Sequence, residues 1–442
     1  MKSKKSELIG YACGGIGHNL IYALFSGYLL IFYTDVFELS AGFTGLLFLI
    51  ARIFDAVNDP IMGVIADKTN SKFGRYRVWL YRVAPVIGAA LCLCFFVPDI
   101  GKMAQYIYCY VTYILLGVSF TCADIPYWSL PSVMTDDAMK RNKIFSIGSI
   151  AGSLASGIGA VAVPMIVSNA TDFATGYLTA AIAFSIVGII GYVLCGSLVR
   201  ERLEIHREHY SLKMALSTLF KNKPLLIVMA ASLFGNLAFQ LKVSMNTYYG
   251  QYALGDYGYV TYLSAMLLVG MLIGASCIPI VIKKLGAKGA MKLTLLAGVI
   301  ISAIYYISGY QSLVTVLIFS ALSAVVVGAF TVLVTSMTAD TIDYAEVHIG
   351  QRNEGIITST RTFITKLATA IAGAVIAFAL ELIQYTPNVE QTVLVKDGFH
   401  ACMSAFPGIM YLIGFIIICF YPLTKKKFQA MEEKLQEMRC KN

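Results

Sequence analysis

The chain has 442 residues, of which 58% are hydrophobic and 13% are charged, and its mean hydropathy is +0.72. This composition excludes an ordinary soluble globular domain and indicates a membrane protein. The formal net charge of +9 does not require a nucleic acid partner, because the basic residues cluster between apolar runs, where they can face anionic lipid headgroups. We therefore expect membrane lipid, and no nucleic acid, among its partners.

Apolar runs long enough to cross a bilayer recur along the whole chain. A helix needs about 20 residues to cross a hydrocarbon core about 30 Å thick. The sequence predicts twelve such helices, at residues 9 to 36, 42 to 67, 79 to 98, 103 to 131, 144 to 168, 174 to 199, 225 to 254, 259 to 282, 292 to 310, 312 to 339, 356 to 383 and 401 to 423. The runs lack the ten-residue alternation of an outer-membrane barrel, so the predicted fold class is an all-α membrane protein.

The distribution of Lys and Arg predicts how the chain is oriented. Basic side chains are frequent in the loops on one side of the predicted spans, whereas the loops on the other side contain Lys102 and Lys396. By the positive-inside rule the first side faces the cytoplasm, so both termini are predicted to be cytoplasmic. The apolar run after the basic start has full span length and lacks a small-residue cleavage site, and we expect it to be a retained first helix.

The longest polar stretch inside the chain divides the twelve spans into six and six. It predicts an N-terminal half at 1 to 199, a cytoplasmic loop at 200 to 224, a C-terminal half at 225 to 424 and a cytoplasmic tail at 425 to 442. Membrane repeats around a central site are a common plan for transporters. The loops GVIADKTNSKFGRYR and IVIKKLGAKGAMK occupy matching places in the two halves, and both are short, basic and contain glycine.

The second predicted span carries charges where water is scarce. Asp55 and Asp59 are four residues apart and Arg52 is three residues before Asp55, so all three lie on one helix face, which Asn58 borders. Two carboxylates at this spacing resist joint ionisation in a low dielectric, so the pair is expected to hold a proton or a small hard cation such as Na⁺. We expect Arg52, on the same face, to act in coupling. The alternative is an Arg52–Asp55 ion pair that pins helices together, but it leaves Asp59 unexplained.

The fourth predicted span carries Thr121, Asp124 and Trp128 at helical spacing on one face. A carboxylate near an indole suits a sugar, because the hydroxyls donate to the acid while the apolar ring face stacks on the aromatic side chain. We therefore interpret Asp124 and Trp128 as a sugar site. The alternative for Trp128 is a position in the aromatic belt at the membrane interface.

Basic residues also occur inside predicted spans of the C-terminal half. Arg361 and Lys366 in the eleventh span are five residues apart, or about 140° around a helix, so they face different neighbours. Lys242 lies in the middle of the seventh span, and we expect it to contact substrate or to snorkel to a lipid headgroup. Among the five histidines, only His18 beside Asn19 is placed to face a central cavity.

Several blocks in the same order resemble the glycoside-pentoside-hexuronide:cation symporters of the major facilitator superfamily. They are YTDVFELSAGFTGLLFLIARIFDAVNDPIMG, FGRYRVW, CYVTYILLGVSFTCADIPYWSL, MTADTIDYAEVHIGQRNEG and TPNVEQT. The resemblance implies the major facilitator fold of two six-helix halves. It also implies a cation site at Asp55, Asn58, Asp59 and Thr121, a sugar site that includes Asp124, Trp128, Arg361 and Thr362, and a coupling role for Lys366 near the cation site.

Four positions that the resemblance places in the sugar pocket depart from the pattern of the melibiose permease in that family. Asn19 replaces an aspartate, Ser149 an arginine, Val334 a tryptophan and Arg361 a glutamine. The first two changes cancel in charge, so Arg361 is an added positive charge, and its guanidinium fork suits a carboxylate. This charge count predicts an acidic sugar such as a hexuronide, and a neutral pentoside or disaccharide is the alternative.

The expected function is therefore secondary active import of a glycoside with Na⁺ or H⁺, or with Li⁺, by alternating access in a bacterial cell membrane. An uncoupled sugar facilitator and a non-transporting sugar sensor are the other candidates. We expect no enzyme activity and no cofactor, because no set of nucleophile, base and orienting residue is recognisable and the ten cysteines lack paired metal spacing. The protein is expected to be a monomer.

Overall fold

The structure is a computed structural model, and it describes residues 5–135, 138–202, 220–349, 354–425, 427–431 and 433–434. No β-strand occurs in these ranges. The long helices are α1 Lys5–Ile31, α2 Ala41–Lys68, α3 Arg77–Cys94, α4 Lys102–Met134, α5 Ala138–Ser168, α6 Phe173–Leu198, α7 Lys223–Tyr248, α8 and α9 within Tyr259–Ser308, α10 Leu313–Ile349, α11 Glu354–Leu382, and α12, which consists of Val393–Met403 and Ala405–Cys419. Gly286, with φ of 72°, separates α8 from α9.

These helices agree with the twelve predicted spans. Ten helices in the described part of the chain are long and apolar enough to cross a membrane, and one of these ten is the bent segment that contains both α8 and α9. The charged residues of α2 lower its mean hydropathy, so α2 is not among these ten. Only its first part, Gly42–Ala51, forms a shorter apolar helix. The prediction of an all-α membrane protein is confirmed.

Two predicted boundaries show the largest errors. Helix α12 begins at Val393 rather than at residue 401, and α10 continues to Ile349 rather than ending at residue 339. Both errors have the same cause. Hydropathy marks the part of a helix that is apolar enough to lie in lipid, whereas backbone hydrogen bonding continues through polar residues such as Lys396 and Asp397 beyond that part.

The chain divides into two compact units. Unit 1 contains Met1–Arg207 and Leu380–Glu390, and unit 2 contains Glu208–Ala379 and Gln391–Asn442. The segment Leu380–Glu390 lies far along the chain from the rest of unit 1. There, the Tyr385 hydroxyl donates to Asp35 Oδ1 (2.8 Å) and Asn388 Nδ2 donates to the Asp35 carbonyl oxygen (2.7 Å). This segment includes part of the TPNVEQT block, whose place the sequence did not predict.

Each unit contains a helix that ends in the same rare turn. Helix α1 continues into the π-helical turn Phe32–Val36, and α7 continues into Tyr249–Ala253. In the first turn the amide of Phe37 donates to the carbonyl of Phe32, and in the second the amide of Leu254 donates to the carbonyl of Tyr249. Single π turns are uncommon in proteins, so this shared feature supports an internal repeat.

Small residues let α1 and α6 approach closely inside unit 1. A Cβ atom on Gly17 would lie 2.9 Å from the Gly188 Cα, and one on Gly191 would lie 2.5 Å from the Cys13 carbonyl oxygen. Both distances are below contact distance, so only glycine permits this separation of the backbones. The close approach places side chains of α1 within hydrogen-bonding distance of α6.

A carboxylate organises the turn before α3. The Glu201 side chain accepts hydrogen bonds from the backbone amides of Arg75 (2.7 Å), Tyr76 (2.9 Å) and Arg77 (2.8 Å). Gly74 precedes them with φ of 104°, a conformation that favours glycine. The first amides of a helix have no partner inside the helix, so Glu201 caps α3.

Candidate functional site

The two acidic residues of α2 lie beside α4. The Thr121 hydroxyl donates to Asp59 Oδ1 at 3.1 Å. One turn away on both helices, Asp55 lies next to Gly117, since a Cβ atom on that glycine would come within 3.3 Å of Asp55 Oδ1. Thr121 is 4% exposed, and both aspartates are half-buried. The face of α2 that the sequence marked as a cation site is therefore the face that packs against α4.

Asn58 can supply a further oxygen ligand to this candidate cation site. Its amide nitrogen is buried and has no hydrogen-bond partner. The two ends of an amide are exchangeable by rotation, so the same position can present the carbonyl oxygen to a cation. Carboxylate, amide and hydroxyl oxygens form a donor set that fits a hard monovalent cation. The side chain of Arg52, predicted to act in coupling, lies outside the described part of the structure.

A buried histidine connects α1, α4 and α6. His18 Nε2 lies 3.2 Å from Asp124 Oδ1, and His18 Nδ1 lies 2.8 Å from the Tyr192 hydroxyl. With an ionised Asp124, Nε2 carries the proton and donates to the carboxylate, while Nδ1 accepts from Tyr192. The close approach of α1 and α6 makes the second contact possible. The network fixes the orientation of the Asp124 carboxylate, whose side chain is 15% exposed.

Aromatic rings surround this histidine. His18 stacks on Phe120 with a centroid separation of 4.5 Å, and the Trp128 ring meets it edge-on at 6.2 Å. Trp128 also lies parallel to Phe145, with an interplanar angle of 10°. Trp128 and Asp124 thus both lie beside His18 in unit 1.

Asn19 and Ser149 have different surroundings. Asn19 Nδ2 donates to the Gly15 carbonyl oxygen (2.9 Å), and a Cβ atom on Gly152 of α5 would lie 2.2 Å from the same nitrogen. Asn19 therefore packs between α1 and α5. Ser149 is exposed on α5, and its hydroxyl makes no hydrogen bond within the described residues.

The basic residues predicted to act in unit 2 do not form one cluster. Arg361 and Lys366 are half-buried on α11, and Thr362 is exposed beside them. Lys242 on α7 is only 5% exposed and lines a small cavity with residues of α7, α8, α10 and α12, not of α11. The alternative that Lys242 snorkels to a headgroup is wrong, because its side chain is enclosed within the helices of unit 2.

Comparison with known proteins identifies the family. Residues 10–425 match the family described as MFS/sugar transport protein. The chain belongs to this family. A glucuronide carrier protein homolog of Escherichia coli K12 is 29% identical over 96% of the chain and 94% of its own length. An isoprimeverose transporter of Lactiplantibacillus pentosus is 28% identical over 97% of the chain and 91% of its own length.

Solved structures agree with this assignment at the level of the fold. A D-xylose-proton symporter superposes with a TM-score of 0.68 at 14% sequence identity, covering 96% of this chain and 99% of that one. The resemblance to the major facilitator superfamily is thereby confirmed, as is the twelve-helix fold. As a member of the MFS/sugar transport family, the protein is a multi-pass membrane transporter and not an enzyme.

In this sugar transport protein, α4 carries both candidate sites. Thr121 contacts α2 and Asp124 contacts α1, although the two residues are separated by only about 4.5 Å along the helix and about 60° around it. Sequence reasoning assigned Thr121 and Asp124 but did not predict the bonds of His18 to Asp124 and Tyr192. The available signal was a histidine inside an apolar span, which is costly without partners.

Proposed function

We propose that the protein is a cation-coupled symporter that imports a glycoside or related sugar across a bacterial cell membrane by alternating access, with both termini in the cytoplasm. One observation carries the proposal. Thr121 and Asp124 are one turn apart on α4, and each is bonded to a polar residue of a different neighbouring helix. The cation site and the sugar site are then coupled through α4, which contributes Thr121 to the first and Asp124 to the second.

Asp55 and Asp59 supply the coupling. Sealing two adjacent carboxylates into a low dielectric is costly unless a cation or a proton lies between them. A bound Na⁺, H⁺ or Li⁺ therefore favours the closed states through which the protein must pass, and Asn58 and Thr121 supply additional oxygens. Without a cation the carrier resists closing, so sugar does not cross alone.

The sugar binds at Asp124 and Trp128. Its hydroxyls donate to the carboxylate while a ring face packs on the indole. His18 acts as a positioning residue, because it holds Asp124 by one ring nitrogen and is itself held at the other by Tyr192. Asn19 and Ser149 complete the set of substrate-binding positions that we propose in unit 1.

We favour an acidic sugar such as a hexuronide. Arg361 supplies a positive charge with no described carboxylate paired to it, and Thr362 is its neighbour. A glucuronide carrier homolog is among the relatives, and so is an isoprimeverose transporter, so a neutral pentoside or disaccharide is the second candidate. Lys366, on another face of α11, is the basic residue that we assign to coupling.

Flux into proteoliposomes tests this proposal. Purified protein is reconstituted, and uptake of radiolabelled methyl β-D-glucuronide and methyl β-D-xyloside is followed under imposed Na⁺ and H⁺ gradients. We expect one gradient to drive accumulation, and Asp59→Asn to abolish it. Lys102→Ala, a change of an exposed residue at the start of α4, is the control and accumulates normally. Equilibration without accumulation would indicate a facilitator, and no flux of any tested glycoside would indicate a sensor.

The same system tests the substrate class. Arg361→Gln should reduce uptake of the glucuronide at least tenfold and leave that of the xyloside within about twofold, because one charge-assisted contact contributes about 1.5–3 kcal/mol. Uptake of a monoanionic sugar with one cation is electroneutral, so a membrane potential should not change it. Equal transport of both sugars by the parent and the variant would contradict the acidic-sugar assignment.

A further inference from the structure

A cavity in unit 2 contains a buried positive charge. The cavity has a volume of about 20 Å³ and is lined by Lys242, Asn246, Leu263, Leu267, Ser320 and Met403. Lys242 and Asn246 are one turn apart on α7, and the remaining residues come from α8, α10 and α12. The cavity is thus lined by four helices of unit 2.

Lys242 cannot reach water at either membrane surface. It lies about 16 Å along the helical segment from Ala253 and about 28 Å from Lys223, whereas a lysine side chain extends about 6 Å. None of the ion pairs formed by described residues includes it. An ammonium group in a low dielectric needs a counter-charge, so its partner is not a side chain of the described chain.

The other polar groups of the cavity, Ser320 and Asn246, can each donate a hydrogen bond into it. The Ser320 hydroxyl oxygen is buried and makes no hydrogen bond of standard geometry with the described residues, although the Tyr305 side chain lies near it. Asn246 Nδ2 donates one hydrogen to Ser264 Oγ (3.0 Å), which leaves its second hydrogen available. An ammonium, a hydroxyl and an amide N–H around one space can form a site for an anion, and Leu263, Leu267 and Met403 supply its apolar lining.

The volume determines which anion fits. A cavity of about 20 Å³ accommodates one water molecule or one small ion. We propose that the cavity binds a small monovalent anion, chloride under cellular conditions, as the counter-ion of Lys242. Lys242 is then a structural anion ligand rather than a substrate contact. This inference does not depend on the identity of the sugar or of the coupling cation.

Thermal unfolding of the purified, full-length protein in detergent tests the inference. The salts are sodium chloride, bromide, gluconate and glucuronate at equal ionic strength. We expect chloride and bromide to raise the melting temperature of the parent saturably above its value in gluconate. In Lys242→Met the difference between chloride and gluconate should vanish, whereas Lys284→Met, which removes an exposed lysine elsewhere in the unit, should respond as the parent does.

A second variant keeps the ammonium and removes one donor. Ser320→Ala should raise the chloride concentration of half-maximal effect several-fold, up to about tenfold, because it deletes one hydrogen bond to the anion. Ser320→Ala therefore tests the anion site even if Lys242→Met does not fold. In crystals grown with bromide we expect an anomalous peak next to Lys242 Nζ.

Two results would overturn the inference. One is a parent protein whose melting temperature is the same in chloride and gluconate, which indicates that the cavity holds water beside a neutral amine. The other is stabilisation by glucuronate and not by chloride that depends on Lys242, which indicates that a sugar carboxylate is the anion.

Discussion

Replacement of His18 by Phe tests how the sugar site is built. The phenyl ring preserves the stacking on Phe120, for which the ring centroids are 4.5 Å apart, and removes both hydrogen bonds of the imidazole. Asp124 then loses a donor at 3.2 Å, and the Tyr192 hydroxyl loses its acceptor at 2.8 Å. A hydrogen bond to a charged group contributes about 1.5–3 kcal/mol, so we expect glycoside affinity to fall about 10- to 100-fold.

Tryptophan fluorescence provides the assay. The chain contains two tryptophans, and Trp128 lies at the site. The change Trp79→Phe leaves Trp128 as the single tryptophan. Trp79 lies outside the site, where its indole N–H donates to the Thr69 hydroxyl oxygen (3.0 Å). Titrations of this background with methyl β-D-glucuronide and methyl β-D-xyloside give dissociation constants with and without the His18 change.

Tyr192→Phe is the matched control for this prediction. It keeps the bond from His18 to Asp124 and deletes a neutral hydrogen bond, so affinity should fall only about 2- to 10-fold. If His18→Phe binds the glycosides as tightly as its background, the orientation of Asp124 does not depend on the histidine and the positioning role is refuted.

Three further changes test the framework that holds the site. Glu201→Ala should lower the melting temperature in detergent because three backbone amides lose their acceptor, and Glu201→Gln should lower it less; equal melting temperatures would contradict the capping role. Gly191→Ala should lower the free energy of unfolding by about 1–3 kcal/mol, since the added Cβ would lie 2.5 Å from the Cys13 carbonyl oxygen. An unchanged free energy in denaturant unfolding would count against the close contact of α1 with α6. Tyr385→Phe should cost about 1.5–3 kcal/mol of unfolding free energy by removing a donor to the buried Asp35 carboxylate; an unchanged midpoint would argue against this contact.

The helices could be predicted from the sequence because lipid allows few alternatives. Long apolar runs must be helical in a bilayer, and two carboxylates four residues apart must share a face. The face of α2 that carries Asp55 and Asp59 was therefore recognisable from residue spacing alone. The start of α12 was not, because Lys396 and Asp397 hide helical residues from a hydropathy criterion.

Contacts between distant parts of the chain were out of reach for a single sequence. The pairing of His18 with Asp124 depends on how α1 and α4 are aligned, and the contact of Tyr385 with Asp35 joins residues 350 positions apart. Periodicity describes the faces of one helix and carries no information about the neighbour that each face meets. For the same reason burial of Lys242 and its exposure at a headgroup were equally compatible with the sequence.

In the proposed mechanism a cation at Asp55 and Asp59 controls sugar binding at Asp124. Its most direct test is the equilibrium affinity for glycoside, measured by Trp128 fluorescence over a range of Na⁺ concentration and of pH. The parent should bind more tightly as the coupling cation is added, and sugar should raise the affinity for that cation by the same factor. Asp59→Asn should still bind sugar, but its affinity for sugar should not change with the concentration of the cation. The account is contradicted if Asp59→Asn retains the full cation response of the parent.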